Sequence, residues 1–170
     1  MGQQAEIMPD LVTLADAKAY LRKNYMVGVD CPCCTQHVQF YRRPITSAMA
    51  YALYLLFIKN YDAKDKYEWV HVEEYLKGIQ CPSSIRGDFA KLKYWGLIEQ
   101  QPGKREDESV RNGYYRITPL GQQFTLGVIT VPSHVYLFKN KVYAKSEKMV
   151  SFRTCLKKRF NYDALMKGML

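Results

Sequence analysis

The chain has 170 residues, is 48% hydrophobic and carries a net charge of +9. That length suits one domain with appendages or two small ones, and the apolar fraction argues against a globally disordered chain. The best apolar run, 48–58, is too short to cross a bilayer, and no basic region followed by an apolar block opens the sequence, so neither a membrane span nor a signal peptide is expected.

The charge is unevenly placed. Residues 1–60, 61–138 and 139–170 carry +2, 0 and +7. The surplus therefore suits an acidic partner of the last segment more than of the middle one. Five cysteines are an odd number, and three crowd at Cys31, Cys33 and Cys34. Without an export signal this favours a reducing compartment, with metal or free thiols in place of disulfides.

Residues 1–10 read as a loose start. Thr13-Leu-Ala-Asp16 has the form of a capping box with Asp in place of Glu. Leu14, Ala17 and Leu21 then recur at helical spacing, so a helix is expected over 14–24. Its Lys18, Arg22 and Lys23 read as a solvated face. Cys31 and Cys34 form a Cys-Pro-x-Cys pair, a spacing whose tight turn lets two thiolates face one metal ion. A closed zinc site needs four ligands. Cys33 or His37 stands close in sequence, and Cys81, Cys155, His71 and His134 are distant candidates. Zinc at Cys31 and Cys34, with Cys33 or His37, is one reading; a knuckle closed by hydrogen bonds and packing, with free thiols, is the other. A redox role is disfavoured, because the pair does not open a helix after a strand. Residues 38–42 alternate enough to form a strand.

Thr46 or Ser47 can cap a helix that is apolar nearly all round and therefore buried on most sides, as a first domain helix or a dimer interface. Residues 61–67 read as a charged loop, and 69–72 as a short strand. Residues 73–79 follow as a helix ended by Gly78, with His71 as a structural histidine. Ser83 or Ser84 can cap the next helix, in which Ile85, Phe89, Leu92 and Trp95 make one apolar stripe. Gly96 stands where a left-handed residue stops a helix. Residues 97–100 and 114–117 read as two strands around a loop rich in turn residues. Thr118-Pro119 opens a further helix as cap and first residue. After a linker at 125–132, residues 134–138 and 142–144 read as a hairpin turning at Asn140. A helical pattern of basic and apolar residues runs over 150–159.

Helix, two-stranded wing, helix is the order of a winged helix-turn-helix. "Leu-Lys-Tyr-Trp-Gly-Leu-Ile-Glu" resembles the end of that family's recognition helix in bacterial regulators. "Tyr-Arg-Ile-Thr-Pro-Leu-Gly-Gln-Gln-Phe" resembles its second wing strand and following helix. The likeness covers roughly the central third of the chain. The knuckle, Tyr-Arg-Arg and buried helix are also similar to small uncharacterised phage proteins, which specifies no activity. The expected fold class is mainly α, of the α+β kind. It would have an N-terminal helix and Cys knuckle at 1–45, a winged helix-turn-helix at 46–128, and a basic β-hairpin with C-terminal helix at 129–170.

The resemblance implies that the third helix meets the major groove. The residues it would present are Ser83, Ser84, Arg86, Lys91, Lys93 and Tyr94, with Arg86 placed for guanine acceptors and the lysines for phosphate. The wing would add Lys104, Arg105 and Arg111, beside Glu106, Asp107 and Glu108, which repel phosphate. Ordinary solvated surface is the competing reading of these cations. No phosphate-cradling glycine loop, nucleophile elbow or His-Glu-x-x-His is present, and three isolated histidines make weak acid–base machinery. The expected function is thus a non-enzymatic DNA-binding protein, a cytoplasmic transcriptional regulator of a bacterium or its phage, with a homodimer allowed. A module gripping an acidic host protein, or an RNA-binding protein using the tail, are the alternatives.

Overall fold

The computed structural model describes residues 13–103 and 113–168. The fold is mixed α+β, and the chain divides into two compact units, 1–43 with 136–144 and 44–135 with 145–170. No helix among the described residues is long and apolar enough to cross a membrane.

The first unit begins with α1 (Leu14–Asn24), capped as expected by the reciprocal bonds of Thr13 and Asp16. Strands β1 (Val29–Asp30) and β2 (His37–Val38) pair antiparallel across the cysteine turn. The strand expected over 38–42 is instead split. Gln39 and Phe40 interrupt it before β3 (Tyr41–Pro44), and the Phe40 ring turns in against Tyr25, Phe138 and Tyr143 at centroid distances of 4.7, 5.4 and 4.6 Å. These part-exposed rings supplement a small buried set, Ala17, Val29 and Leu137, in a unit too small to build a large core. β8 (His134–Phe138) and β9 (Lys141–Lys145) make the expected hairpin, and β3 joins it in the order β3-β8-β9. Lys139 and Asn140 both take positive φ in its two-residue turn, as a turn matched to strand twist requires.

The second unit is organised around α2 (Ser47–Tyr61), which Thr46 caps. Ala50, Ala52 and Leu53 are fully buried, because the helix is covered by other elements of the same unit. β4 (Val70–His71) leads into α3 (Val72–Gly78), then α4 (Ser83–Arg86), a 3₁₀ helix (Phe89–Trp95), β5 (Ile98–Gln100), β6 (Tyr114–Ile117) and α5 (Pro119–Thr125). The strands form one antiparallel sheet in the order β4-β6-β5, with Val70 opposite Tyr115 and Ile98 opposite Ile117. α2 packs on β6, α4, α5 and the 3₁₀ helix. Asn60, fully buried on α2, donates to the Glu68 carbonyl at 3.0 Å, so its amide does not stand unsatisfied in the core.

Two helix expectations need correction. Residues 83–95 are not one helix, and neither serine caps it. Pro82 occupies the cap position without a side-chain bond, and Ser83 is the first helical residue. The α-helix stops at Arg86, where Gly87 and Asp88 follow; both residue types favour helix ends over helix interiors. Phe89, Leu92 and Trp95 are spaced by three, the repeat of a 3₁₀ helix, and all three are buried together with Ile85. Gly96 then takes φ +74° and ends the segment as expected.

The second correction concerns 150–159. After β7 (Val131–Pro132) and its partner β10 (Met149–Val150), α6 covers only Phe152–Leu156. Lys157, at φ +57°, turns the chain, so that Phe160 stacks on Tyr51 of α2 at 4.1 Å with an interplanar angle of 4°. α7 (Tyr162–Lys167) follows, docked by Tyr54 Oη donating to the Leu165 carbonyl at 2.7 Å and by the Arg153–Asp163 pair at 2.7 Å.

Candidate nucleic-acid interface

The exposed side of α4 and the 3₁₀ helix follows from the burial of Ile85, Phe89, Leu92 and Trp95. Ser83, Ser84 and Lys93 are exposed, whereas Arg86, Lys91 and Tyr94 are half-buried. Lys91 forms an ion pair with Asp88, which binds part of its charge locally. Lys93 Nζ lies 3.4 Å from Gln100 Oε1 and 5.8 Å from the Tyr94 ring centroid, reaching along the surface toward β5. Arg86 turns inward: its Nε is buried and has no hydrogen-bond partner among the described residues. Lys104, Arg105 and Arg111 lie outside the described residues, as do Glu106, Asp107 and Glu108.

One contact was not legible in the sequence. Arg159 Nη2 donates to Ser84 Oγ at 3.4 Å. The basic run at 157–159 therefore stands beside α4, although it is 75 residues away along the chain. Its position depends on the Phe160–Tyr51 stack and the turn at Lys157, which have no local sequence signal. Arg153 of the tail is already engaged: it holds Asp163 in a two-pronged pair and keeps its carboxyl below the usual carboxylate range. Arg116 likewise bridges to Glu99 across β5 and β6 and covers the Trp69 ring at 4.4 Å.

His71 has the structural role expected of it, since its Nδ1 accepts from the Glu74 N–H at the start of α3. His134 is buried and bonded to Ser133 Oγ.

The cysteine turn belongs to the first unit. The Cys31 N–H donates to the Gln36 carbonyl, and the Thr35 N–H to the Cys31 carbonyl, both at 2.8 Å. The backbone N–H groups of Cys33 and Cys34 turn toward the Cys31 sulfur and hold its thiol below the ordinary value. Hydrogen bonds to the charged form have this effect. His37 contacts Asp30 through Nδ1 at 2.8 Å and Gln39 through Nε2 at 3.3 Å, so both ring nitrogens already have protein partners. Among the described residues, no group of three or more His, Cys, Asp or Glu side chains is arranged to hold a metal ion.

Cys81 and Cys155 are buried in the second unit. Burial pushes the Cys155 thiol up to about 11 from an ordinary 9.0. The folded protein thus keeps this proton where the unfolded chain would release it, and the stability tied to it erodes as pH rises from 9 toward 11. Iodoacetamide at neutral pH should modify Cys31 first, then the exposed Cys33 and Cys34, and Cys155 only on unfolding. Peptide mass mapping of timed samples checks this. Modification of native Cys155 as fast as Cys34 would overturn its assignment to the core.

No family model matches this chain, and no curated protein or solved structure does either.

Proposed function

We propose that the second unit carries a winged helix-turn-helix and that the protein binds double-stranded DNA as a bacterial or phage transcriptional regulator. The observation carrying this reading is the order α2, β4, α3, α4 with the 3₁₀ helix, β5, β6, α5, with β4 and β5 flanking β6 in one sheet. That order sets a two-stranded wing directly after a helix pair. It leaves Ser83, Ser84 and Lys93 on an exposed face with Arg159 beside them. Serines at a helix start and flexible cations suit phosphate contact, and base-edge contact needs a side chain that reaches past them.

The test is fluorescence anisotropy of a labelled duplex across a salt series. Binding should weaken steeply with salt, and each lost phosphate contact should lower the log–log slope by about 0.9. Lys93→Ala and Arg159→Ala together should therefore reduce it by roughly two. Absence of binding at low salt, or an unchanged slope in the double variant, would sink the reading.

A second reading rests on the +7 carried by residues 139–170. On it the tail grips an acidic protein or RNA, and the helical scaffold only supports it. Protein that ignores duplex DNA but binds single-stranded RNA or an acidic partner with steep salt dependence would favour that reading.

Zinc at the cysteine turn is a separate proposal. Cys31 and Cys34 would supply two thiolates, Cys31 being already favoured as one, with Cys33 or His37 completing the set after local rearrangement. His37 would have to give up its bond to Asp30 or to Gln39. Elemental analysis should find about one zinc per chain, lost in Cys31→Ser and Cys34→Ser. Metal-free protein with an unchanged unfolding transition would remove the proposal.

A further inference from the structure

A cavity of about 600 Å³ lies in the second unit between α3, α4 and β6. Its walls include Val72, Leu76, Phe89 and Tyr115, all at least nine-tenths buried. One titratable group on its lining has a buried nitrogen without a hydrogen-bond partner among the described residues. That group is Arg86, whose Nε is the buried nitrogen. The nearby carboxylate, Glu73, also on the lining, is held by Lys77 at 2.8 Å; that pair is largely self-neutralising and exposed. Burial raises the Cys81 thiol and the Arg86 charge pulls only partly against it; Lys77 is the main reason the Glu73 carboxyl lies below the usual range, with Arg86 a minor contributor.

A guanidinium whose Nε is desolvated and unpaired is costly to keep, and native structures ordinarily answer such a group with a partner. The planar fork of arginine matches a carboxylate in two-pronged geometry. A cavity of several hundred cubic ångströms with apolar walls and a few charged side chains at its rim, here Arg86 and the Glu73–Lys77 pair, is also a usual form of a small-molecule site.

We propose that this cavity binds a small apolar or aromatic monocarboxylate, its carboxylate on Arg86 and its hydrocarbon body against Leu76, Phe89 and Val72. Size selects the ligand class: the volume holds a single ring or a medium-length chain, not a polymer. Charge selects a monoanion, because Lys77 is already paired with Glu73 and leaves Arg86 as the cation that a ligand would meet. The inference goes beyond DNA binding and does not depend on it, since the site lies inside one unit and its occupancy is measured without nucleic acid. If DNA binding also holds, the ligand would bear on it directly, because the site uses a residue of α4.

The experiment is isothermal titration of the full chain with benzoate, 3-phenylpropionate and octanoate, each beside its uncharged amide, with thermal unfolding in parallel. At least one carboxylate should bind with a Kd below about 1 mM and raise the Tm, and its amide should bind about tenfold more weakly. Arg86→Met should lose about tenfold in affinity while keeping the wild-type circular dichroism and a cooperative melt. Ala90→Phe, on the same lining, should narrow the cavity and reject the larger ligands without removing the charge. If no carboxylate of the panel binds, if acid and amide bind equally, or if folded Arg86→Met binds like wild type, the inference fails. A failure here with salt-dependent DNA binding intact leaves the DNA reading standing, and the converse result leaves the ligand site standing.

Discussion

Gly121→Ala is expected to destabilise the protein by about 3 kcal/mol, although the same change inside an exposed helix ordinarily stabilises by about 0.5–1 kcal/mol. Gly121 sits in the first turn of α5, and its N–H donates to the capping Thr118 Oγ1 at 3.0 Å. An added Cβ would collide with the backbone carbonyl of Leu97 and lie 2.8 Å from Ile117 Cγ1. Neither neighbour can retreat cheaply. Leu97 and Ile117 are fully buried, the Leu97 carbonyl accepts the Thr118 N–H at 3.1 Å, and Thr118 Oγ1 donates to the Gly96 carbonyl at 2.6 Å. Steric cost therefore exceeds the helix-propensity gain. Urea unfolding should show a lower midpoint with an unchanged slope. An equal or higher midpoint would mean that α5 does not pack on the start of β5 as described.

That close approach also marks how far the sequence could be read. Thr118-Pro119 predicted the start of α5, and Gly96 the end of the segment before it, because caps and left-handed stops are local chemistry. Thr13 with Asp16, Thr46, and the Lys139-Asn140 turn were legible for the same reason. The breaks at Gly87-Asp88 and at Lys157 were not. In the first, three-residue spacing of Phe89, Leu92 and Trp95 fits an α stripe loosely and a 3₁₀ stripe well, and only packing decides between them. In the second, a helical charge pattern is overruled by one stacking contact, Phe160 on Tyr51.

The exposure of the candidate face was legible in the same partial way. Residue types and order pointed to Ser83, Ser84 and Lys93, which are exposed. They could not show that Lys91 is tied to Asp88, that Arg86 faces a cavity, or that Arg159 meets Ser84. Each of these depends on a side-chain direction or on a partner distant in sequence. The cysteine turn shows the converse: Cys-Pro-x-Cys spacing suggested shared thiolate chemistry, and the backbone N–H groups that favour a Cys31 thiolate became visible only with the turn's geometry.

Trp95→Ala should have the largest effect of any single change considered, a loss of about 3–5 kcal/mol. The ring is 3% exposed at the end of the 3₁₀ helix, and its Nε1–H donates to the Pro132 carbonyl at 2.7 Å. Pro132 lies on β7, which pairs with β10 just before α6. One side chain thus couples the 3₁₀ helix to the strand pair that introduces the C-terminal helices. Two contributions are separable. Trp95→Phe keeps most of the buried ring but strands the Pro132 carbonyl, and should cost about 1–2 kcal/mol. Trp95→Ala removes the ring as well and leaves a cavity that the neighbouring Leu92 and Phe89 fill only partly. If the two variants unfold at the same urea concentration, the hydrogen bond rather than the packing holds this junction. If Trp95→Ala costs less than about 1 kcal/mol, the segment is not anchored there. The same pair of variants tests the proposed DNA-binding reading: Lys93 and Tyr94 immediately precede Trp95, so on that reading freeing the segment should weaken duplex binding in Trp95→Ala more than in Trp95→Phe, under conditions where both remain folded.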